Sequence, residues 1–166
     1  MEIWDFNEDK NYTIVNNYKV LKFQDKVKAA ELLEEIRIMI MNLFIQLQLE
    51  KRGNKHINLL LNTPFYLQEM QLPKDQGKII FEGLNKPKEV MMTNLTPIGP
   101  DGRKRAKYRV IFLQLRNSSG KLKSLNSLKK LIAHELTHTA LNHVTWREDD
   151  HGPEFNKMNK IILKGI

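Results

Sequence analysis

Residues 134–138 read His-Glu-Leu-Thr-His, an HExxH pattern. Two histidines four apart on a helix stand one turn above each other on one face, so both imidazoles can reach a single Zn²⁺ at about 2.0–2.1 Å. Glu135 lies one residue along, where its carboxylate flanks the fourth coordination position and can take a proton from the attacking water. His134 and His138 are therefore the expected metal ligands, Glu135 the expected general base and Zn²⁺ the expected cofactor.

A catalytic zinc site of this kind needs a third protein ligand. His143 follows His138 by five residues, which on a continuing helix turns it about 140° away from the metal. It can serve only if the helix breaks after Ala140, and no glycine is present there. His151 follows a polar loop that can fold back, and is the preferred third ligand. Asp149 and Asp150 are lesser candidates, or partners that orient a ligand imidazole. Glu154 is a possible carboxylate ligand, but its place in the first turn of a helix explains it equally well.

Working outward, the motif falls in a helix expected from Leu125 to Asn142, with Ser124 as its cap and Leu128, Leu131, Ile132 and Leu136 as its core face. The nearly continuous apolar run Tyr108–Leu115 predicts a buried strand ahead of it, and residues 97–102 a turn. Pro153 suits the first position of a last helix that buries Phe155, Met158, Ile161 and Ile162. Near the N-terminus, residues 11–23 alternate weakly and suggest a strand. Asp25 is a candidate cap for a long helix over Lys26–Lys51, ended by Gly53. Ala29, Leu33, Ile36, Ile40, Leu43 and Leu47 recur at helical spacing, and Ile38, Met41 and Ile45 extend the apolar surface, so this helix is expected to pack on more than one side. Residues 55–72 predict short helical or extended pieces split at Thr63-Pro64. Residues 73–89 read as loop around a short Ile79–Phe81 strand, with another strand at Val90–Thr93. The fold class is α+β. One domain over 1–166 is expected, with a helical N-terminal part (1–78) and a core bearing the site (79–166).

The chain has 166 residues, 41% of them hydrophobic, and a formal net charge of +8. With no cysteine, disulfides and thiolate metal sites are excluded. Met1-Glu2-Ile3-Trp4-Asp5 lacks a basic flank leading into an apolar run, so no secretory signal and an intracellular location are expected. The most apolar stretch, Ile36–Leu49, is too short and too polar to span a membrane. A charge of this sign favours polyanions, nucleic acid above all.

His134–His138 followed by His151-Gly152-Pro153-Glu154-Phe155 resembles the SprT/Spartan zinc metallopeptidases, in which HExxH, a variable loop and an HGPEF-like box follow in order. Upstream, Ile111–Arg116, Gly120 and the helix entering HELTH are similar to WLM-type metallopeptidase domains. The compact chain looks most like short WLM-type proteins of large DNA viruses. The resemblance spans roughly residues 79–163 and is strongest over 108–158. It implies a zincin-like fold, an edge strand that pairs with an extended peptide, and cleavage of proteins bound or crosslinked to DNA. The HGPEF box implies the third ligand at His151. The WLM pattern places it nearer His143, but the glycine of that pattern is absent.

Arg103, Lys104, Arg105, Lys107 and Arg109 cluster at a turn and strand start, with Lys121, Lys123, Lys129 and Lys130 following, and are the expected phosphate contacts. Alternation along the strand also allows residues 107 and 109 to form a plain solvated face. Trp4, Tyr108 and Trp146 can stack on bases, although packing is the commoner role. The resulting expectation is a monomeric zinc peptidase acting on a protein or peptide substrate, with DNA as a partner and no membrane. Its rivals are a peptidase with no DNA requirement, a zinc-braced DNA-binding module and a virion protein with an unused metal site.

Overall fold

The computed structural model describes residues 9–71, 82–88, 104–144 and 151–166. The expected strands at 79–81 and 90–93, the turn at 97–102, and Trp4, Arg103, Trp146, Asp149 and Asp150 lie outside them.

The fold is α+β. After a 3-10 turn at Asp9–Asn11, the single strand expected near the N-terminus is a hairpin of β1 (Tyr12–Val15) and β2 (Tyr18–Leu21). Asn16 and Asn17 join them with φ of 51° and 70°, the two positive values that a tight type I′ turn needs and that asparagine tolerates. Helix α1 (Lys26–Glu50) buries Leu33, Ile36, Ile40, Leu43 and Leu47. Its Asp25 makes no side-chain capping bond; the carboxylate instead accepts a hydrogen bond from Arg116 Nη1 at 2.7 Å. Helix α2 (Lys55–Asn62) is capped by Asn54, whose Oδ1 accepts from the backbone N–H of His56 and Ile57.

The chain then forms β3 (Phe65–Glu69), β4 (Gly83–Lys88) and β5 (Tyr108–Leu113), a mixed sheet in the order β3-β5-β4. β3 runs parallel to β5 with Phe65 opposite Arg109, and β4 runs antiparallel with Gly83 opposite Leu113. Two expectations are corrected here. Residues 1–78 are not a purely helical part, because β3 belongs to the same sheet as β5. Residues 83–88 are strand rather than loop, even though they contain Pro87. Proline is tolerated there because Glu82 already accepts from Gln114 N–H, so the even positions of β4 face β5 and the backbone of Pro87 points outward from the sheet.

Positions 111 and 113 of β5 enter the main core with α1, α2, α3 (Leu125–Ala140) and α4 (Pro153–Gly165). Phe112 faces the other side with Met70 and Leu84. Leu128, Ile132 and Leu136 of α3 are buried as their spacing requires. Ser124 caps α3, its Oγ accepting from Ser127 N–H at 3.2 Å. Gly83 and Asn85 of β4 and Arg109 of β5 share the face turned toward α3. No helix among the described residues is long and apolar enough to cross a membrane.

Candidate metal centre

α3 carries residues 134–138, and its 3.6-residue repeat sets His134 and His138 on one face. His151 stands immediately ahead of α4, where Pro153 fixes the start of the helix. The Nε2 atoms of the three rings converge: His134 and His138 are 3.3 Å apart, His134 and His151 3.3 Å, and His138 and His151 3.2 Å. The three histidines lie close enough to hold one metal ion. Three ring nitrogens at this spacing face one another with at most a shared proton between them, a costly arrangement that a cation at their centre relieves.

Phe155, the first core residue of α4, is packed under all three imidazoles with ring centroids 4.9–5.0 Å away. It is buried, so the rings rest on an apolar plate that restricts their tilt. Burial, with His151 nearby, pushes His134 down to about 4. Burial and the neighbouring imidazoles push His138 down further, to about 2. Both rings are thus held neutral, the form that ligates metal.

His143 is near this cluster but on its other side. Its Nδ1 lies 2.9 Å from Nδ1 of His138, opposite the nitrogen that faces His134 and His151. The helix does end after Ala140, and without glycine. Asn142 takes the left-handed position at φ 58°, its N–H donates to the Thr139 carbonyl, and the N–H of His143 donates to the His138 carbonyl. This pair of bonds is a Schellman turn with asparagine in the place usually held by glycine. Glu154 is not in the cluster either; its carboxylate sits 3.5 Å from Nε2 of His56.

Glu135 is buried beside the histidines, and burial pushes its carboxyl up to about 8. It borders a cleft of about 520 Å³ lined by Glu82, Gly83, Lys130, Leu131, His134, Glu135 and His151. A Cβ on Gly83 would stand 3.1 Å from Glu135 Oε1 and 2.8 Å from Leu131 Cδ1. Below, Asn85 Nδ2 donates to the Glu135 carbonyl at 2.6 Å and to Thr139 Oγ1 at 2.7 Å. Arg109 Nη1 donates to Asn85 Oδ1 at 3.2 Å and to the His143 carbonyl at 2.9 Å. The sheet thus grips the helix backbone on both sides of His138.

That placement corrects the expected phosphate contacts. Arg109 is 1% exposed and held inside, so it is not offered to a ligand at the surface. Lys104 and Arg105 are half-buried and Lys107 is exposed. Tyr108 packs edge-on against Tyr66. The clamp by Asn85 and Arg109 was not foreseen from the sequence. Its only trace there is a polar residue at an inward position of each strand.

No family model, curated protein or solved structure matches this chain.

Proposed function

We propose that the chain is a zinc-dependent metallopeptidase, with His134, His138 and His151 as ligands and Glu135 as general base. The observation that carries this reading is the triangle of Nε2 atoms with sides of 3.2–3.3 Å. Ligand nitrogens about 2.0–2.1 Å from a tetrahedral zinc stand about 3.3–3.4 Å apart, so the donor set fits this ion and leaves one position open. When bound, zinc supplies Lewis acidity that acidifies a water and polarises the scissile carbonyl.

The remaining chemistry belongs to the chain. Glu135, whose carboxylate burial makes more basic than usual, accepts a proton from the nucleophile and returns it to the leaving amine. Phe155 and the Asn85–Arg109 clamp keep the imidazoles and the Glu135 backbone in place. In an antiparallel ladder, backbone groups alternate between inward and outward. The odd positions of β4 therefore direct theirs away from β5, on an edge that no other described strand pairs with, where an extended peptide would find a partner beside the cleft. The zincin-like resemblance supports the same placement.

For the substrate class, the net charge of +8 and exposed Lys130 at the cleft favour proteins held on DNA.

Glu135→Gln tests the activity. Cleavage of an unfolded protein should fall by about 10²–10⁴-fold, while zinc content stays near one per chain. Undiminished cleavage, or purified protein that takes up no zinc, refutes the proposal. The substrate class is tested separately by adding DNA to the assay: rates unchanged by DNA remove that class and leave the peptidase reading standing.

A further inference from the structure

α1 has a second apolar stripe that no other described element covers. Ile38, Met41, Ile45 and Leu49 are 48%, 42%, 59% and 78% exposed. At 100° per residue the four fall within an arc of about 80°, and the buried row Ile36, Ile40, Leu43 and Leu47 lies about 180° away. The helix is therefore apolar on two opposite sides, with only one of them used in the core. Isolated exposed apolar side chains are ordinary, but four in register over three turns form a patch of a kind that marks an interface.

From this stripe we infer that the chain self-associates through α1, two copies packing antiparallel about a twofold axis between Met41 and Asn42. An isologous contact must complement itself, and this surface does. With that axis, Ile38 meets Ile45 of the second copy on both sides of the centre. Glu31 faces Arg52 of the second copy, which lies in the turn just past the end of α1, so opposite charges meet at each end of the contact, and both residues are exposed. Glu34, which opposes Leu49, is already hydrogen-bonded to Arg37 and Tyr18 and brings no bare charge to the contact. A parallel pair would set Glu31 and Glu34 against their own copies. The stripe lies on the side of α1 opposite the core, so both histidine clusters stay accessible. The expectation that α1 packs on more than one side is not met within the chain, where Ile38, Met41 and Ile45 are exposed; the proposed dimer would cover them.

Four side chains bury less than the roughly 800 Å² per partner of a standard interface, so a weak dimer is expected, with a dissociation constant on the order of 10 µM. Sedimentation of the full chain over about 1–500 µM reads it directly. Ile45→Glu, at an exposed position, should raise the constant at least about 100-fold, with the thermal midpoint unchanged at about 1 µM, where the parent is also monomeric. Glu31→Arg should weaken the dimer, and adding Arg52→Glu should restore it. The chain has no cysteine of its own, so oxidised Met41→Cys should crosslink to a dimer across the axis. Three results overturn the inference: a chain monomeric throughout the range, a dimer indifferent to Ile45→Glu, or a charge-swapped pair no tighter than Glu31→Arg alone. None of these readouts involves the metal centre.

Discussion

Nδ1 of His138 and Nδ1 of His143 lie 2.9 Å apart. In the proposed site Nε2 of His138 is given to the metal, so its ring proton would belong on Nδ1 with His143 as the acceptor. That bond would fix both the tautomer and the tilt of the ring. His143→Ala should weaken zinc binding about 10–100-fold, and His151→Ala, which deletes a ligand, by more. Competition titration with a chromophoric chelator measures both. Asn142→Gly keeps the left-handed turn that delivers His143 and should bind zinc like the parent. Equal affinity in His143→Ala and the parent would remove the orienting role.

Zinc that binds the folded chain alone must also stabilise it. At a free concentration about 100 times the dissociation constant, the gain is about 2.7 kcal/mol. Chelation should therefore lower the thermal midpoint, and added zinc should restore it. The His151→Ala variant should show little of this response.

Gly83 leaves no room for a side chain. Its Cβ would meet Leu131 Cδ1, Glu135 Oε1 and the Phe112 carbonyl at 2.8, 3.1 and 3.1 Å. Gly83→Ala should displace the Glu135 carboxylate and lower kcat at least about tenfold, with zinc content unchanged. Leu131→Ala in the same chain relieves only one of the three contacts, so rescue should be incomplete. Full activity in Gly83→Ala would show that the carboxylate does not need its present position.

Arg109 gives its hydrogen bonds to Asn85 Oδ1 and the His143 carbonyl. Arg109→Met should remove both of these bonds and cost about 2 kcal/mol by denaturant unfolding. DNA affinity of the folded protein should not change, whereas Lys130→Ala should lower it and flatten its salt dependence. Loss of DNA affinity in a well-folded Arg109→Met would reverse this assignment.

A buried ionic group ties the N-terminal hairpin to the end of the sheet. Arg116 Nε donates to Glu69 at 2.8 Å, its Nη1 donates to Asp25, and the Phe23 ring covers the guanidinium at 4.3 Å. Burial pushes the Glu69 carboxyl above its usual range, with Leu21 N–H and Arg116 pulling it back. Arg116→Ala leaves that carboxylate without its cation and should cost about 3–5 kcal/mol. Glu69 is then raised further. An acid with a raised folded-state value loses stability as pH rises through that value, so the deficit should be larger near about pH 8 than near about pH 5. A deficit that grows toward acid instead would mean that Glu69 remains ionised without Arg116.

The parts of the fold that could be read from the sequence are those set by local period and local caps. Helical spacing gave α1 and α3, and Pro153 marked the start of α4. That His134 and His138 share one face followed from one helical turn, but bringing His151 to them depended on α4 docking against α3, which no local pattern encodes. Residues 73–89, rich in Lys, Gly and Pro, read as loop, and only the order of the described strands shows that Pro87 sits where a strand tolerates proline. Asp25 looked like a cap until Arg116, distant in sequence, claimed its carboxylate. Arg109 was misjudged for a related reason: a cluster of basic residues reads as surface, and its inward direction depends on the register of β5 against α3. The turn at Asn142 was legible in principle, since asparagine is the usual substitute for glycine in the left-handed region.

Pro87 also sets how far another strand can run along β4. Its nitrogen carries no hydrogen, and the outward direction of its backbone removes one donor from the margin of β4 that no other described strand pairs with. A short extended segment still finds the N–H groups of Gly83 and Asn85 near the cleft, while a longer one loses its pairing at residue 87. The same interruption deters end-to-end stacking of sheets between molecules, a common route to fibrous aggregates. The proposed peptide access and colloidal safety would thus share a single proline, and replacing it with threonine should lengthen the sticky margin and raise turbidity on prolonged warming.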